Sequence, residues 1–142
     1  MIRKRTTLLL ALAVSLVAAG AAAAGAGSTN ASVQIRHEVR GCHAWSVDGD
    51  AFKASQTVKL RHGARLTVTN NDVMPHTFLR TGGPAVRIPH ARLGHMGASV
   101  TITLTRPGTY RFTTKAGEDY PGMTGLKTIG EDNVLRLTVV VS

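Results

Sequence analysis

The sequence predicts an all-β protein, a Greek-key β-sandwich or barrel of about seven or eight strands, on three observations. Apolar and polar residues alternate at period two through most of the chain after residue 32. Turn-forming clusters, among them Asp48-Gly49-Asp50, His62-Gly63, Asn70-Asn71-Asp72, Gly82-Gly83-Pro84 and Arg106-Pro107-Gly108, cut that alternation into short runs. Beyond the amino terminus no window has helical periodicity, which leaves sheet packed on sheet as the way to bury a core.

The elements follow in order. Met1 to Arg5 carries three cations, Thr6 to Ala19 is apolar, and Gly20 to Ala26 is rich in small residues. Residues 1–26 therefore read as a secretory signal peptide, cut between Ala23 and Ala31. Its apolar core is shorter than the roughly 20 residues that span a bilayer, so no stable membrane insertion is expected. Residues 33–142 then form one domain with one modest core. Its strand-like runs are Val33 to Val39, Thr57 to Leu60, Arg65 to Thr69, Thr77 to Leu79, Val86 to Ile88, Val100 to Leu104, Tyr110 to Thr113 and Leu135 to Val139.

Charge excludes some functions. Without Arg3, Lys4 and Arg5 the 17 Lys and Arg fall to 14 against 8 acids, a net charge of about +6. Those cations stand singly between apolar residues, as on solvated strand faces, with no basic helix and no aromatic platform, so nucleic acid is not an expected partner. Nor is an enzyme expected. No nucleophile-base motif or phosphate loop is present, and Glu118-Asp119 reads as a solvated turn. The chain carries a single cysteine, Cys42. A lone thiol in an exported protein cannot form an internal disulfide, and metal ligation is one reason to keep it.

The histidines are where chemistry concentrates. In Asn70-Asn71-Asp72-Val73-Met74-Pro75-His76-Thr77-Phe78, Pro75 fixes its own φ and biases Met74 toward extended backbone, so His76 is delivered at a defined point where a strand begins. His37, mid-strand, and His62, in a Gly turn, read as surface residues, and His90 follows Pro89. Trp45 reads as a core ring or one beside the site.

The Asn-Asp turn followed by Pro75-His76-Thr77 resembles the first ligand loop of the cupredoxins. Thr105 to Phe112 resembles the hairpin of that family that leads into Thr-Tyr-x-Phe, and Pro121-Gly122-Met123 resembles its Pro-Gly-Met ligand loop. The resemblance runs from about Val33 to Val141 and implies a cupredoxin-like sandwich, with His76 as first copper ligand and Met123 as axial ligand. The chain departs from it where the family has a cysteine and a second histidine: Thr113-Thr114 and Tyr120 stand there, which excludes the usual His-Cys-His centre.

Replacement ligands are sought nearby. The loop Gly41-Cys42-His43-Ala44-Trp45 follows the first strand; adjacent residues of an extended chain point to opposite faces, so Cys42 and His43 could both bind one ion only with a bend at Gly41, and Cys42 is favoured over His43. Gly94-His95-Met96-Gly97 precedes another strand, with Met96 expected to point inward and His95 held in reserve. Cys42, His76, Met96 and Met123, with His43 and His95 as further candidates, are thus the expected metal ligands. A thiolate, imidazole and thioether set is soft and selects copper. The expected protein is a secreted or otherwise extracytoplasmic copper-binding monomer of the periplasm or cell-wall space, passing electrons or copper to a redox or copper-delivery protein partner. The alternatives are a metal-free structural sandwich, or uptake of iron or another metal through Glu118, Asp119 and Tyr120.

Overall fold

The structure, a computed structural model, describes residues 27–38, 42–116 and 134–142. Eight strands make up its regular structure: β1 Ser28–Glu38, β2 Cys42–Val47, β3 Ser55–Asn70, β4 His76–Gly82, β5 Arg92–Leu93, β6 Ser99–Leu104, β7 Gly108–Ala116 and β8 Val134–Val141. Their order is β2-β1-β3-β8-β7-β4-β5, with β6 pairing β3 off that path. The all-β sandwich expected from the alternation is present. The expected signal segment, residues 1–26, and Glu118, Asp119, Tyr120 and Met123 lie outside the described residues.

The longest strand, β3, ties the two layers together. Its first half, Ser55 to Leu60, runs parallel to β8, and its second half pairs with β1 in parallel and with β6 antiparallel. The sequence reads this stretch as two strands split by a turn at His62-Gly63. Instead the strand passes through. Gly63 takes a φ of 79°, which glycine adopts without a Cβ penalty. Even-numbered residues on both sides of it, Leu60, Ala64, Leu66, Val68 and Asn70, stay buried, while His62 turns out to bond the Thr105 carbonyl at 2.8 Å.

Three further expectations change. Cys42 to Val47 is a strand antiparallel to β1, not a loop after it. Val86 to Ile88 is outside the named strands, and β5 forms later, against β4. The run before Arg106-Pro107-Gly108 does not close a hairpin with the run after it: β6 pairs β3, whereas β7 lies between β4 and β8. Local alternation specifies that a strand exists. Its partner is set by which inward face fits which.

The core follows from the parity. Val33 and Ile35 of β1, Trp45 and Val47 of β2, Leu66 and Val68 of β3, Phe78 of β4, Tyr110 and Phe112 of β7, and Leu135, Leu137 and Val139 of β8 form one buried cluster. Phe78 stacks on Phe112 at 4.9 Å between ring centroids. The same parity continues past the end of the apolar set. His37 shares the face of Ile35, His43 that of Trp45 and His76 that of Phe78, so three histidines meet at one end of the sandwich.

Candidate metal centre

Three local devices hold this end. The β1–β2 register sets His37 directly across from His43, and their rings meet edge to face at 5.5 Å. The turn after β3 is bound by side chains. The fully buried Asn70 donates its Nδ2 to the carbonyls of Met74 (2.8 Å) and Leu93 (3.0 Å) and accepts the Asp72 N–H at Oδ1 (2.8 Å). Asp72 Oδ1 in turn accepts the Met74 N–H at 3.0 Å. Such side-chain bonds to nearby backbone are how Asn and Asp fix turns. The Asn71 N–H, bonded to the Ile35 carbonyl at 2.7 Å, fastens the turn to β1.

The result aims Asp72 Oδ2 at two imidazoles. It lies 2.9 Å from His43 Nε2 and 3.2 Å from His76 Nε2, with all three side chains almost completely buried. The His43 and His76 rings stand nearly perpendicular at 4.8 Å. Behind His76, its Nδ1 is 3.3 Å from Thr114 Oγ1, itself fully buried. A carboxylate only accepts hydrogen bonds, so with no metal His76 carries its proton on Nε2 and Nδ1 accepts from the Thr114 hydroxyl. Thr114 therefore fixes the ring so that Nε2 faces Asp72, the orienting role that a partner on the second nitrogen plays for a ligating histidine.

Burial would raise the Asp72 pKa. The Met74 N–H, the His76 hydrogen bond and the two nearby imidazoles outweigh it and hold the carboxyl below its ordinary 3.8. Burial pushes His76 below its ordinary 6.5, with His43 adding to the fall and Asp72 opposing it. Both shifts make acid destabilising. Just below 6.5 the unfolded chain binds a proton that His76 in the fold refuses, so stability drops as pH falls through that window. The Asp72 contribution is full above 3.8 and is lost as pH falls through its folded value. The urea midpoint of metal-free protein is expected to decline from about pH 7 to about pH 5, less steeply in His76→Gln; equal slopes would contradict the depressed imidazole.

Of the expected ligands, the structure brings His76 and His43 together. The backbone of Cys42 belongs to β2, opposite Glu38, and its side chain is outside what the structure describes. Met96 was expected to point inward but is 57% exposed. His95 is also exposed, its Nδ1 2.9 Å from the Met96 carbonyl. Asp72 was read only as part of a turn, although its place four residues before His76 in a Pro-ordered loop signals a partner for that ring. His37 is exposed, as read, yet a ring nitrogen of His37, one of His43 and a carboxylate oxygen of Asp72 all lie within 4.8 Å of one another. The parity of Val33, Ile35 and His37 was the signal for it. Beside the cluster opens a cleft of about 500 Å³ whose walls include His37, Asp72, Val73, Met74 and Met96.

No family model matches the chain, and no curated protein does. Solved structures resemble it loosely. The oxidized form of an amicyanin mutant is 16% identical over 78% of this chain and 82% of its own, with a TM-score of 0.40. A purple cupredoxin from Nitrosopumilus maritimus is 18% identical over 78% of this chain and 98% of its own, at 0.45. A multicopper oxidase from Campylobacter jejuni is 15% identical over 80% of this chain but 25% of its own, also at 0.45. At this level the likeness says nothing of the site, whose chemistry is that of the chain's own residues. Among the described residues no helix is long and apolar enough to cross a membrane.

Proposed function

We propose that the chain is an extracytoplasmic copper-binding protein that carries electrons or copper ions to a protein partner. One observation supports this reading above the others: His43 Nε2 and His76 Nε2 converge on a single buried oxygen of Asp72, at 2.9 and 3.2 Å. Metal–donor bonds of about 2.0–2.2 Å at angles near a right angle or tetrahedral place neighbouring donors about 3 Å apart. The two close contacts already have that spacing. Two imidazoles and a carboxylate are borderline N/O donors, and among divalent first-row ions such a set holds Cu(II) most tightly.

His43 and His76 would be the nitrogen ligands and Asp72 an oxygen ligand or the acceptor that orients them. Copper bound there supplies a one-electron couple in a site walled by the core. The protein's part is to hold both rings still, through Thr114 on one side and the β1–β2 register on the other, and to release the Nε2 protons on loading, so affinity falls with acid. Met123 and Cys42 remain the proposed sulfur ligands, with His95 in reserve; because neighbours on a strand point to opposite faces, Cys42 joins His43 on one ion only through a bend where β2 begins. The basic chain suits an acidic face on a redox or copper-delivery partner.

Trp45 is the sole tryptophan, buried and two residues from His43 on the same strand. Titration with Cu(II) is therefore expected to quench its fluorescence with a break at one equivalent. A thiolate-to-copper charge-transfer band that vanishes in Cys42→Ser would add the thiolate to the ligand set, and an unchanged copper complex in that variant would remove it. Absence of stoichiometric copper binding in the native protein would refute the function.

A further inference from the structure

The cleft beside the buried cluster has its own donor chemistry. Met74 is half-buried and Met96 exposed, and both line it together with His37 and with Arg36, whose guanidinium carbon lies 3.7 Å over the Phe52 ring. Met74 is placed by the same turn that aims Asp72, its N–H on Asp72 Oδ1 and its carbonyl on Asn70 Nδ2. Met96 sits in a turn anchored to β3, where the N–H of Gly97 bonds the Asn70 carbonyl at 2.6 Å. So one buried asparagine fixes the backbone on both sides of the cleft. Two thioethers and an imidazole are soft donors, unlike the N/O set behind them.

We infer that Met74, Met96 and His37 form a second, outer site for a soft monovalent cation, Cu(I), at the mouth of the buried cluster. The donors grade inward: thioethers at the cleft, then His37, then His43 and Asp72 within 4.8 Å of it, then His76. His37 belongs to both ends of that series, so an ion captured by sulfur exchanges ligands one at a time toward the interior, with no change of oxidation state and no bare ion. An exposed methionine beside an exposed valine, Val73, is otherwise only an apolar rim. The imidazole on the same wall distinguishes the two.

This outer site presupposes that the buried cluster is a metal site, and its test separates the two. Ag(I) serves as a redox-inert probe of Cu(I), in a Cys42→Ser background so that the thiol does not capture it. With methyl-labelled methionine, one equivalent of Ag(I) is expected to shift the Met74 and Met96 methyl resonances and leave that of Met123 in place. The double variant Met74→Leu/Met96→Leu should bind Ag(I) at least tenfold more weakly, while Cu(II) still quenches Trp45 as before. Stationary Met74 and Met96 resonances, or undiminished Ag(I) affinity in the double variant, would overturn the outer site. Loss of Cu(II) binding in the double variant would also overturn it, by showing one shared site. Failure of Cu(II) to bind the native protein would sink the function and, with it, the outer site as the mouth of that cluster, whereas failure of the Ag(I) tests alone, with Cu(II) still quenching Trp45, would sink only the outer site.

Discussion

His76→Ala is expected to abolish most of the stabilisation that copper gives the native protein. A ligand that binds only the folded state stabilises it by about 2.7 kcal/mol at one hundred times its Kd, which for a domain of this size raises Tm by roughly 10 °C. Groups that merely orient a metal ligand cost about 10–100-fold in affinity when lost, so removal of the ligand itself should cost at least the upper figure. At the same copper concentration the residual stabilisation is then about 0.4 kcal/mol. His43→Ala should behave likewise, because its Nε2 shares the Asp72 oxygen with His76. His62→Ala is the control. Its ring is bonded to the Thr105 carbonyl midway along β3, away from the Asn70 end that carries the cluster, so the copper shift should remain whole. Melting curves of the three variants with and without Cu(II) decide the matter, and a full shift in His76→Ala would place the copper elsewhere.

Phe78→Ala is expected to lower stability by about 3–5 kcal/mol, a large part of the roughly 5–15 kcal/mol that holds a domain folded. Phe78 is fully buried, stacked on Phe112, which lies parallel to Tyr110 at 6.1 Å, so truncation opens a cavity between β4 and β7 that rigid neighbours cannot fill. Its N–H bonds the Ala91 carbonyl, which keeps the strand itself in place. Phe78 is also the residue that seats β4 beneath His76, so any variant that stays folded should bind copper more weakly. Leu79→Ala, the next residue and 45% exposed, should change stability by no more than about 0.5 kcal/mol. Denaturant unfolding of the pair measures the contrast. A loss below about 1 kcal/mol in Phe78→Ala would mean that the site rests on something other than this aromatic stack.

Much of the fold was legible because side-chain alternation is a local property. Val33 and Ile35, Leu66 and Val68, and Leu135, Leu137 and Val139 each mark an inward face from spacing alone. Pairing was not legible in the same way. Gly63 looks like a turn residue and passes a strand through, and Pro107-Gly108 looks like a hairpin turn and carries the chain from β6, on β3, to β7, on β4 and β8.

By itself the sequence determined that β strands alternate through the domain and that Pro75 presents His76 at the start of one. It also determined that the usual cysteine and histidine positions of the resembling loop hold Thr113, Thr114 and Tyr120. Only the tertiary structure decided what His76 meets. His43 arrives through the register of β2 on β1, Asp72 through the Asn70 hydrogen bonds that shape its turn, and Thr114 through the pairing of β7 with β4. The reason is physical. Alternation says which way a side chain points, whereas the donors around one ion are chosen by hydrogen-bonded contacts between segments dozens of residues apart, and these form only when complementary faces close on one core.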